Sequence, residues 1–331
     1  MTLIRLESNQ PPNRFYRGGE KIRLFRGAAA AGDRVPEDWV ASTTQLFGES
    51  MGHTVLEDGV VLRDAVAHDS DYWLGSEHMA RFGADTMLLV KILDAGQRLP
   101  VHIHPDREFA EQHLGHSHGK AEAWYILEGG TVYLGFTRDI TESELRSWVS
   151  GQNVPEMIGA MHPITVQAGD SVYVPPGTPH AIGDGVFLVE VQEPEDLSIL
   201  LEWNGFAIDG PAQGHLGLGF DTALDATDRH GWTVDAITAL VVRQGQGTGT
   251  LPKESALYFR AERFEVAQNE VLDLEPGFCV IVVLEGAGSL APATGASIQV
   301  TGGTTILVPN AAGNIHATGN LRVLVCRPPK H

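Results

Sequence analysis

Short apolar runs separated by glycine and proline recur along this chain and predict strands more often than helices. Runs of four to eight apolar, β-branched or aromatic residues between turn residues are typical of strands with at least one buried face. The strands that such runs predict include residues 86–93, 123–127, 131–136, 171–174 and 186–191. The 38 glycines and 18 prolines are scattered between such runs, as is typical of β-sandwiches and barrels. The pattern therefore predicts a fold dominated by β-structure.

Helical patterns interrupt the strands at a few places. Residues 141–148 read Thr-Glu-Ser-Glu-Leu-Arg-Ser-Trp, in which Thr141 and Glu144 form a capping-box pattern at the start of a helix. Residues 63–74 and 106–113 are two further predicted helices. We therefore predict that short helical insertions lie between the strands.

A weak internal repeat runs through the chain. Residues 126–130, followed by residues 172–182, have an echo in residues 283–288 followed by residues 306–317. In both copies a Leu-Glu-Gly turn precedes a Val-Pro segment that ends near a histidine. Two similar units predict two jelly-roll barrels.

The two predicted barrels differ in their chemistry. We predict an N-terminal metal-binding domain over residues 1–205, which carries the helical insertions, and a C-terminal domain over residues 206–331. The second copy of the repeat lacks a His-x-His pattern, so His316 has no evident partner ligands. The C-terminal domain is therefore predicted to be a degenerate barrel without metal.

Three short patterns in the first copy predict a metal site. A G-x5-H-x-H pattern ends in His102 and His104, an E-x6-G pattern begins at Glu122, and a G-x5-P-x-G-x2-H pattern ends at His180. Alternate residues of a strand share one face, so His102 and His104 point the same way. Three imidazoles and a carboxylate suit a divalent transition metal, with positions left for water or substrate. One His-x-His among 14 histidines is unremarkable, but three patterns in this order favour a metal site.

Charge and hydropathy limit the partners. The formal net charge of −19 argues against nucleic acid and anionic membranes, because both are themselves negatively charged. No apolar run reaches the roughly 18 residues that span a bilayer, and the first residues lack the apolar core of a signal peptide. We therefore predict a cytoplasmic protein whose partner is a small molecule. The expected state is a monomer or homodimer, between which the sequence does not decide.

The segments around these patterns resemble one family. The three patterns are similar to the two motifs of the cupin superfamily, and their surroundings resemble type I mannose-6-phosphate isomerases, most closely the shorter bacterial form. The segments that carry this resemblance are residues 37–42 (Glu-Asp-Trp-Val-Ala-Ser), 88–95, 101–106, 119–127, 174–183 and 189–192. The resemblance extends from about residue 37 to residue 327. The long interval between His104 and Glu122 fits as well, since this family inserts a loop and a helix there.

The resemblance implies a ligand set. The family holds one zinc-type metal through four side chains that fall, position by position, on His102, His104, Glu122 and His180. The first of these is glutamine in the family and histidine here, and imidazole is at least as good a ligand. Zinc is the metal that the family implies, while a site of three histidines and one glutamate also admits Mn, Fe, Co or Ni.

The resemblance also implies an aldose–ketose isomerase, which interconverts a mannose-like aldose, phosphorylated or free, and its ketose through a cis-enediol. Lys120 stands two residues from Glu122 and would face the same cavity, where it could protonate the reacting oxygen. A solvent-exposed lysine is the alternative for Lys120, and core packing is the alternative for Trp39. The predicted catalytic residues are Lys120, Glu190 and Lys91, and the predicted substrate-binding residues are Trp39, Ser42 and Gln192.

One position departs from the family near the substrate. Ile199 stands where the family has an arginine that reaches the substrate site, and an aliphatic side chain cannot replace it. Arg98, Arg107 or Lys91 could supply a cation instead. The simpler hypothesis is that the substrate is a sugar that lacks phosphate at the usual place.

Two other functions stay open on the sequence alone. A site of three histidines and one glutamate also suits a cupin oxidoreductase or dioxygenase that uses Fe or Mn. A non-catalytic sugar-binding cupin could keep the metal and lose turnover. Epimerisation at C2 shares the enediol with isomerisation, so the sequence does not separate these two reactions.

Overall fold

Antiparallel strands dominate the computed structural model, which describes residues 3–29, 32–245 and 250–330. The strands, in chain order, are β1 (Ile4–Leu6), β2 (Glu37–Val40), β3 (Leu89–Asp94), β4 (His102–Ile103), β5 (Glu122–Glu128), β6 (Gly130–Phe136), β7 (Met161–Val166), β8 (Ser171–Val174), β9 (His180–Ile182), β10 (Phe187–Gln192), β11 (Ile199–Leu200), β12 (Val241–Val242), β13 (Arg260–Val266), β14 (Val271–Leu274), β15 (Cys279–Pro292), β16 (Ile298–Thr301), β17 (Thr305–Val308) and β18 (Ile315–Arg327). The predicted dominance of β-structure is confirmed.

Short helices lie between the strands. The α-helices are α1 (Glu20–Arg26), α2 (Leu62–His68), α3 (Ser70–Trp73), α4 (Ser76–Phe82), α5 (Arg107–Leu114), α6 (Glu142–Gly151), α7 (Val154–Gly159), α8 (Gly210–Gln213), α9 (Phe220–Ala223) and α10 (Val234–Ala239). Single 3₁₀ turns occur at Leu224–Ala226, Lys253–Leu257 and Asn310–Ala312. Within the described ranges, no helix has both the length and the apolar character that crossing a membrane would need.

Two sheets of the N-terminal part face each other and position the predicted site. One has the strand order β12-β8-β5-β10-β3-β2, and the other has the order β11-β4-β9-β6-β7. In the first sheet Glu190 of β10 lies directly opposite Lys91 of β3, and Gln192 lies opposite Glu122 of β5. Directly opposed residues of antiparallel strands place their side chains on the same face. One face of this sheet thus carries a row of charged and polar side chains.

The C-terminal strands form a third sheet. Its order is β1-β17-β15-β18-β13, with β14 paired to β18 and β16 paired to β15. The N-terminal strand β1 is an edge strand of this sheet, and β12, beyond residue 205, pairs with β8 of the N-terminal part. The division into domains of residues 1–205 and 206–331 stays a prediction, because each of these segments contributes one strand to a sheet formed mainly by the other segment.

The third sheet is apolar on both faces. Along β15, Ile281 and Val283 pack into a cluster formed within the C-terminal strands, whereas Val280 and Val282 join the large core of the N-terminal part. Leu324 on β18 also faces that shared core. A strand buried on both faces is apolar at successive positions, which explains the uninterrupted Val-Ile-Val-Val run at residues 280–283.

Some predicted elements have different bounds. The predicted helix 63–74 is two helices, because Asp69 ends α2 and its side chain accepts a hydrogen bond from the Tyr72 N–H, which starts α3. The predicted strand 86–93 begins three residues late, since Met87 has a φ of 56°, which no strand adopts. Thr141 caps α6 as predicted.

Candidate metal centre and active site

Three histidine side chains converge between the two N-terminal sheets. His102 on β4 lies directly opposite His180 on β9, with ring centroids 4.0 Å apart. The His104 ring is 5.0 Å from His102 and 4.9 Å from His180. All three side chains are buried, and one nitrogen of each lies within 4.8 Å of the others. This cluster can hold a metal ion.

Backbone carbonyl groups orient all three imidazoles. Each Nδ1 lies within 2.8 Å of a carbonyl oxygen, and the pairs are His102 with Pro100, His104 with Leu197, and His180 with Thr178. A proton on Nδ1 satisfies the carbonyl and leaves the Nε2 lone pair as an acceptor or a metal donor. This is the tautomer that binds metal through Nε2, and such hydrogen bonds fix the ring in place.

Burial keeps two of these imidazoles neutral. It lowers the pKa of His102 well below its usual value, and the neighbouring imidazoles lower it further. Burial, followed by the Lys120 ammonium, lowers the pKa of His104 to about 3. A histidine must be neutral to bind a metal, so His102 and His104 are ready to act as ligands at pH 7.

Glu122 completes the donor set. One carboxylate oxygen lies 3.0 Å from His104 Nε2, and the other lies 3.3 Å from His180 Nε2 and accepts a hydrogen bond from the Trp124 indole at 3.0 Å. Burial alone would raise the pKa of Glu122, but Lys120 and the histidines hold it well below its usual value.

The buried Nε2 atom of His180 lacks a hydrogen-bond partner, as expected of an atom that binds a metal. This nitrogen makes no hydrogen bond of good geometry, and a buried polar atom without a partner is costly unless something binds it. Three imidazoles and an ionised carboxylate are a donor set that divalent transition metals accept.

Lys120 lies against the ligand set. Its ammonium is 2.8 Å from His104 Nε2, donates a hydrogen bond to Glu122, and lies 3.7 Å from a carboxylate oxygen of Glu190. The side chain is only 4% exposed, so Lys120 is not a solvated surface lysine.

A second buried charge network adjoins Lys120. Lys91 Nζ lies 3.6 Å from Glu190, 3.6 Å from Glu37 and 3.7 Å from Asp196. Burial would lower the pKa of Lys91, but these carboxylates outweigh it and raise the pKa. Burial and the nearby Glu122 raise the pKa of Glu190, whose Oε1 has no hydrogen-bond partner. Glu190 is therefore placed to accept a proton.

Some of these groups line one cavity of about 270 Å³. The predicted site residues that line it are Lys91, His102, Lys120 and Glu190. The cavity is also lined by other charged or phenolic side chains, most of which the sequence did not indicate. They are Arg14, Tyr16, Glu37, Glu49 and Asp196. Arg14 and Tyr16 precede the segments that carry the family resemblance. Their pairing with Glu37, through the Arg14 guanidinium at 3.4 Å and the Tyr16 hydroxyl at 2.7 Å, is a tertiary contact.

The three predicted substrate-binding residues do not line this cavity. Trp39 is buried, donates its indole N–H to Glu37 at 2.8 Å, and lies under the Lys91 ammonium, 4.5 Å from the ring centroid. Ser42 donates to the Thr44 carbonyl oxygen at 3.0 Å. The amide nitrogen of Gln192 donates to two backbone carbonyls, and its Oε1 has no partner. Trp39 supports Lys91, and the roles predicted for Ser42 and Gln192 stay predictions.

No cationic side chain lines the cavity at position 199, where the family has an arginine. Ile199 is fully buried in an apolar cluster, while its neighbours Ser198 and Leu200 line the cavity. Arg98 is paired with Glu202, and Arg107 is paired with Glu193 and stacked on Tyr258. Neither arginine lines the cavity, so among the three cations considered from the sequence only Lys91 does.

Glu193 is a positioning residue that the sequence did not reveal. Its carboxylate accepts a hydrogen bond from the Ala121 N–H at 2.9 Å, and its own N–H donates to the Ala121 carbonyl at 3.1 Å. Ala121 lies between Lys120 and Glu122. The fully buried Glu193 therefore fixes the backbone between Lys120 and Glu122.

We expect Glu193→Ala to weaken metal binding about 10- to 100-fold, as is typical when a group that orients a ligand is lost. Glu193→Gln should retain most of the affinity, because its amide oxygen can still accept from Ala121. Chelator competition gives the dissociation constants, and thermal unfolding serves as the stability control. If Glu193→Ala lowers the melting temperature but leaves metal affinity unchanged, its role is structural only.

Histidines of the segment before β5 are also anchored to acidic residues. His118 Nε2 lies 2.7 Å from Asp85 and its Nδ1 lies 3.5 Å from Glu193. His116 pairs with Glu195 at 2.9 Å. Burial would lower the pKa of His118, but Asp85 and Glu193 outweigh it and raise the pKa to about 9.

The ion pairs of His118 with Asp85 and Glu193 should stabilise the fold in a pH-dependent way. Its folded pKa of about 9 exceeds the ordinary value of 6.5, so the stabilisation is complete below pH 6.5 and is lost as pH rises through 9. Chemical denaturation should give the unchanged protein a free energy of unfolding about 2 kcal/mol larger than that of His118→Gln at pH 6. This value allows for solvent screening at Asp85, which is one-third exposed. The difference should vanish by pH 10. A difference independent of pH would contradict the assignment.

Comparison with known proteins agrees with this geometry. The chain is 27% identical to a mannose-6-phosphate isomerase of Streptococcus mutans over 314 residues, which are 93% of each chain. It is 27% identical over 287 residues to a mannose-6-phosphate isomerase of Bacillus subtilis, which covers 83% of this chain and 86% of that protein. No protein-family model matches the chain.

Solved structures show the same fold. A mannose 6-phosphate isomerase from Bacillus subtilis superposes with a TM-score of 0.73 at 20% identity, over 99% of this chain and all of the other. A phosphomannose isomerase variant from Salmonella typhimurium gives a TM-score of 0.73 at 14% identity, over 100% of both chains. The predicted fold class, which is dominated by β-structure with short helical insertions, is confirmed. Along nearly its whole length the chain is thus similar, in sequence and in fold, to the mannose-6-phosphate isomerases.

Proposed function

We propose that the protein is a metal-dependent aldose–ketose isomerase of the mannose-6-phosphate isomerase type. One observation supports this most strongly. The cluster of His102, His104 and His180 adjoins Glu122 and Lys120 and, through Lys120, Glu190. Of these residues, His102, Lys120 and Glu190 line one cavity. Isomerisation needs an electrophile and a group that moves a proton in one place, and this cavity brings both kinds of group together.

The metal would be held by His102, His104, Glu122 and His180. Zinc is the ion that the resemblance favours, and Mn, Fe, Co or Ni also suit three imidazoles and a carboxylate. When bound, such an ion polarises a carbonyl or hydroxyl oxygen and stabilises the negative charge that develops there.

The chain's own residues would move the protons. Glu190, with an unpartnered Oε1 and a raised pKa, would take the proton from C2 of the aldose and return it to C1 through a cis-enediol. Lys120 would donate a hydrogen bond to the reacting oxygen. Lys91, between Glu190 and Asp196, would hold Glu190 in position and bind sugar hydroxyls.

A single combined experiment tests this function. The purified protein is assayed for bound metal and then incubated with free and phosphorylated aldoses and ketoses in deuterium oxide. We expect about one equivalent of a divalent metal, isomerisation of at least one sugar, and exchange of its C2 proton with deuterium. Oxygen uptake on sugar addition would instead support the oxidative cupin, and binding without exchange across the panel would support the sugar-binding protein.

The substrate class in this proposal is a mannose-like sugar or sugar phosphate. The sequence similarity to isomerases over more than nine-tenths of the chain supports the isomerase over the oxidative alternative. The cytoplasmic location, the absence of a nucleic-acid or membrane partner, and the monomeric or homodimeric state stay predictions.

A further inference from the structure

The Arg14 guanidinium lines the cavity with most of its hydrogen-bond donors unused. Its Nε donates to the Glu37 carboxylate at 3.4 Å, and within the described part of the chain this is the one hydrogen bond that the side chain makes. Both Nη atoms therefore keep their N–H donors. Neither is among the buried atoms that lack a partner, so a molecule in the cavity can reach them.

The two lysines of the cavity are occupied in comparison. Lys91 Nζ has three carboxylates within 3.7 Å. Lys120 donates to Glu122 and lies 2.8 Å from His104 Nε2. A divalent metal would add positive charge at the histidines, where the reacting oxygens are expected. Arg14 is thus the cation left to bind another part of a substrate.

Glu37 does not use up the charge of Arg14. The same carboxylate accepts hydrogen bonds from the Tyr16 hydroxyl at 2.7 Å and the Trp39 indole at 2.8 Å, and it lies 3.6 Å from Lys91 Nζ. Its negative charge is therefore shared by four donors. Contact through Nε alone leaves the edge formed by the two Nη atoms, which can bind two oxygens of a phosphate at once.

The backbone around Arg14 is held in place before any ligand binds. The Arg14 N–H donates to the Arg34 carbonyl at 3.0 Å, and the Phe15 carbonyl accepts from the Ala207 N–H at 2.9 Å. The guanidinium carbon also lies 5.6 Å from the centroid of the Phe15 ring. A side chain that is already ordered loses little entropy on binding, which favours affinity.

A row of contacts leads from the metal cluster to Arg14. Lys120, which touches the cluster, lies 3.7 Å from Glu190, and Glu190 lies 3.6 Å from Lys91. Lys91 lies 3.6 Å from Glu37, which in turn contacts Arg14. Arg14 stands at the opposite end of this row from the residues proposed to act at C1 and C2. A hexose that reacts at Lys120 and Glu190 would therefore direct its far carbon toward Arg14.

Arg14 also lies near the segment in which the family has its arginine. Ile199 is buried in an apolar cluster, but its two neighbours in the chain line the cavity together with Arg14. Burial would lower the pKa of Arg14, but the charges of Glu37 and then Asp196 outweigh it and raise the pKa. Asp196, three residues before Ile199, is thus close enough to act on the guanidinium. The lack of an arginine at position 199 is therefore no argument against a phosphorylated sugar.

We propose that Arg14 is a substrate-binding residue whose two Nη groups hold the phosphate of a sugar phosphate, and that it sets the preference for the phosphorylated sugar. Two oxygens of a phosphate fit the guanidinium fork, which a single hydroxyl cannot fill. This inference rests on the proposed isomerase function. The isomerase function concerns Lys120 and Glu190, whereas this inference concerns Arg14.

The first test compares kcat/KM for a hexose 6-phosphate with kcat/KM for the free hexose at equal metal loading. We expect the phosphate to be favoured at least about tenfold in the unchanged protein, because hydrogen bonds between charged groups are strong. Arg14→Gln should reduce this ratio about 10- to 100-fold, mainly by raising KM for the phosphate. Arg14→Lys should give an intermediate ratio, since it keeps the charge but not the fork.

Arg17→Gln is the matched control. Arg17 belongs to the same segment but is exposed and does not line this cavity, so the variant should keep the ratio of the unchanged protein. Metal content and thermal unfolding show whether each variant is folded and loaded.

Two results would overturn the role of Arg14 and leave the isomerase function intact. One is a kcat/KM for the free hexose equal to or above that for the phosphate in the unchanged protein. The other is an equal loss of kcat/KM with both sugars in Arg14→Gln, which would mean that Arg14 only positions Glu37. The absence of turnover and of C2 exchange with every sugar would instead overturn the isomerase function, and this inference with it.

Discussion

His180→Ala should abolish bound metal and isomerase activity together, whereas His316→Ala should leave both unchanged. His180 is fully buried and its Nε2 has no hydrogen-bond partner, which leaves its lone pair for a metal. His316 occupies the equivalent place in the sequence repeat, but it is only half-buried and pairs with Asp273 at 2.5 Å. Loss of a direct ligand should lower kcat/KM by at least about 100-fold, the upper end for groups that merely support a ligand.

Metal analysis and steady-state kinetics check this result. Because an alanine at a buried position also leaves a cavity, Glu122→Gln serves as a second variant of nearly unchanged shape. It should lose metal and activity as well, since an amide oxygen carries no charge to offset that of the ion. Full activity in either variant without bound metal would refute the metal-dependent mechanism.

Glu190→Gln should lower kcat by about 10²- to 10⁴-fold, the range for loss of a general base, without loss of metal. Glu190 lies 3.7 Å from Lys120 and 3.6 Å from Lys91 on the face of the sheet that lines the cavity, and it does not belong to the histidine cluster. The variant keeps the shape of the side chain but cannot accept the C2 proton. Exchange of that proton with deuterium should therefore fall in parallel with kcat.

A matched control comes from the same sheet. Glu128 at the end of β5 is exposed and pairs with Lys21, so Glu128→Gln should retain full kcat, metal content and exchange. If Glu190→Gln retains both kcat and exchange, another group removes the proton, and Glu190 only binds hydroxyls or balances charge.

The sequence predicted the cluster of three histidines well because its information is local. In His102-Ile-His104 the strand period of two places both imidazoles on one face, and the glycine-bounded segments around Glu122 and His180 are strands in the structure. The sequence did not reveal the role of Glu193, whose contact with Ala121 spans 72 residues of chain. Nor could it show that Trp39 lies behind the cavity wall, because a buried tryptophan and a substrate-stacking one have the same local pattern.

The linear pattern of residues by itself determined the β-dominated fold, the order of the motifs, and the three histidines that can hold a metal. These depend on strand periodicity and on turns, which act over a few residues. Only the tertiary structure decided which charges meet in the cavity: Arg14, Glu37 and Asp196 come from segments far apart in the chain. Their pairing depends on how the N-terminal segment packs against the sheet, because charges interact through space and not along the sequence. The balance of those charges therefore follows from the packing of the chain.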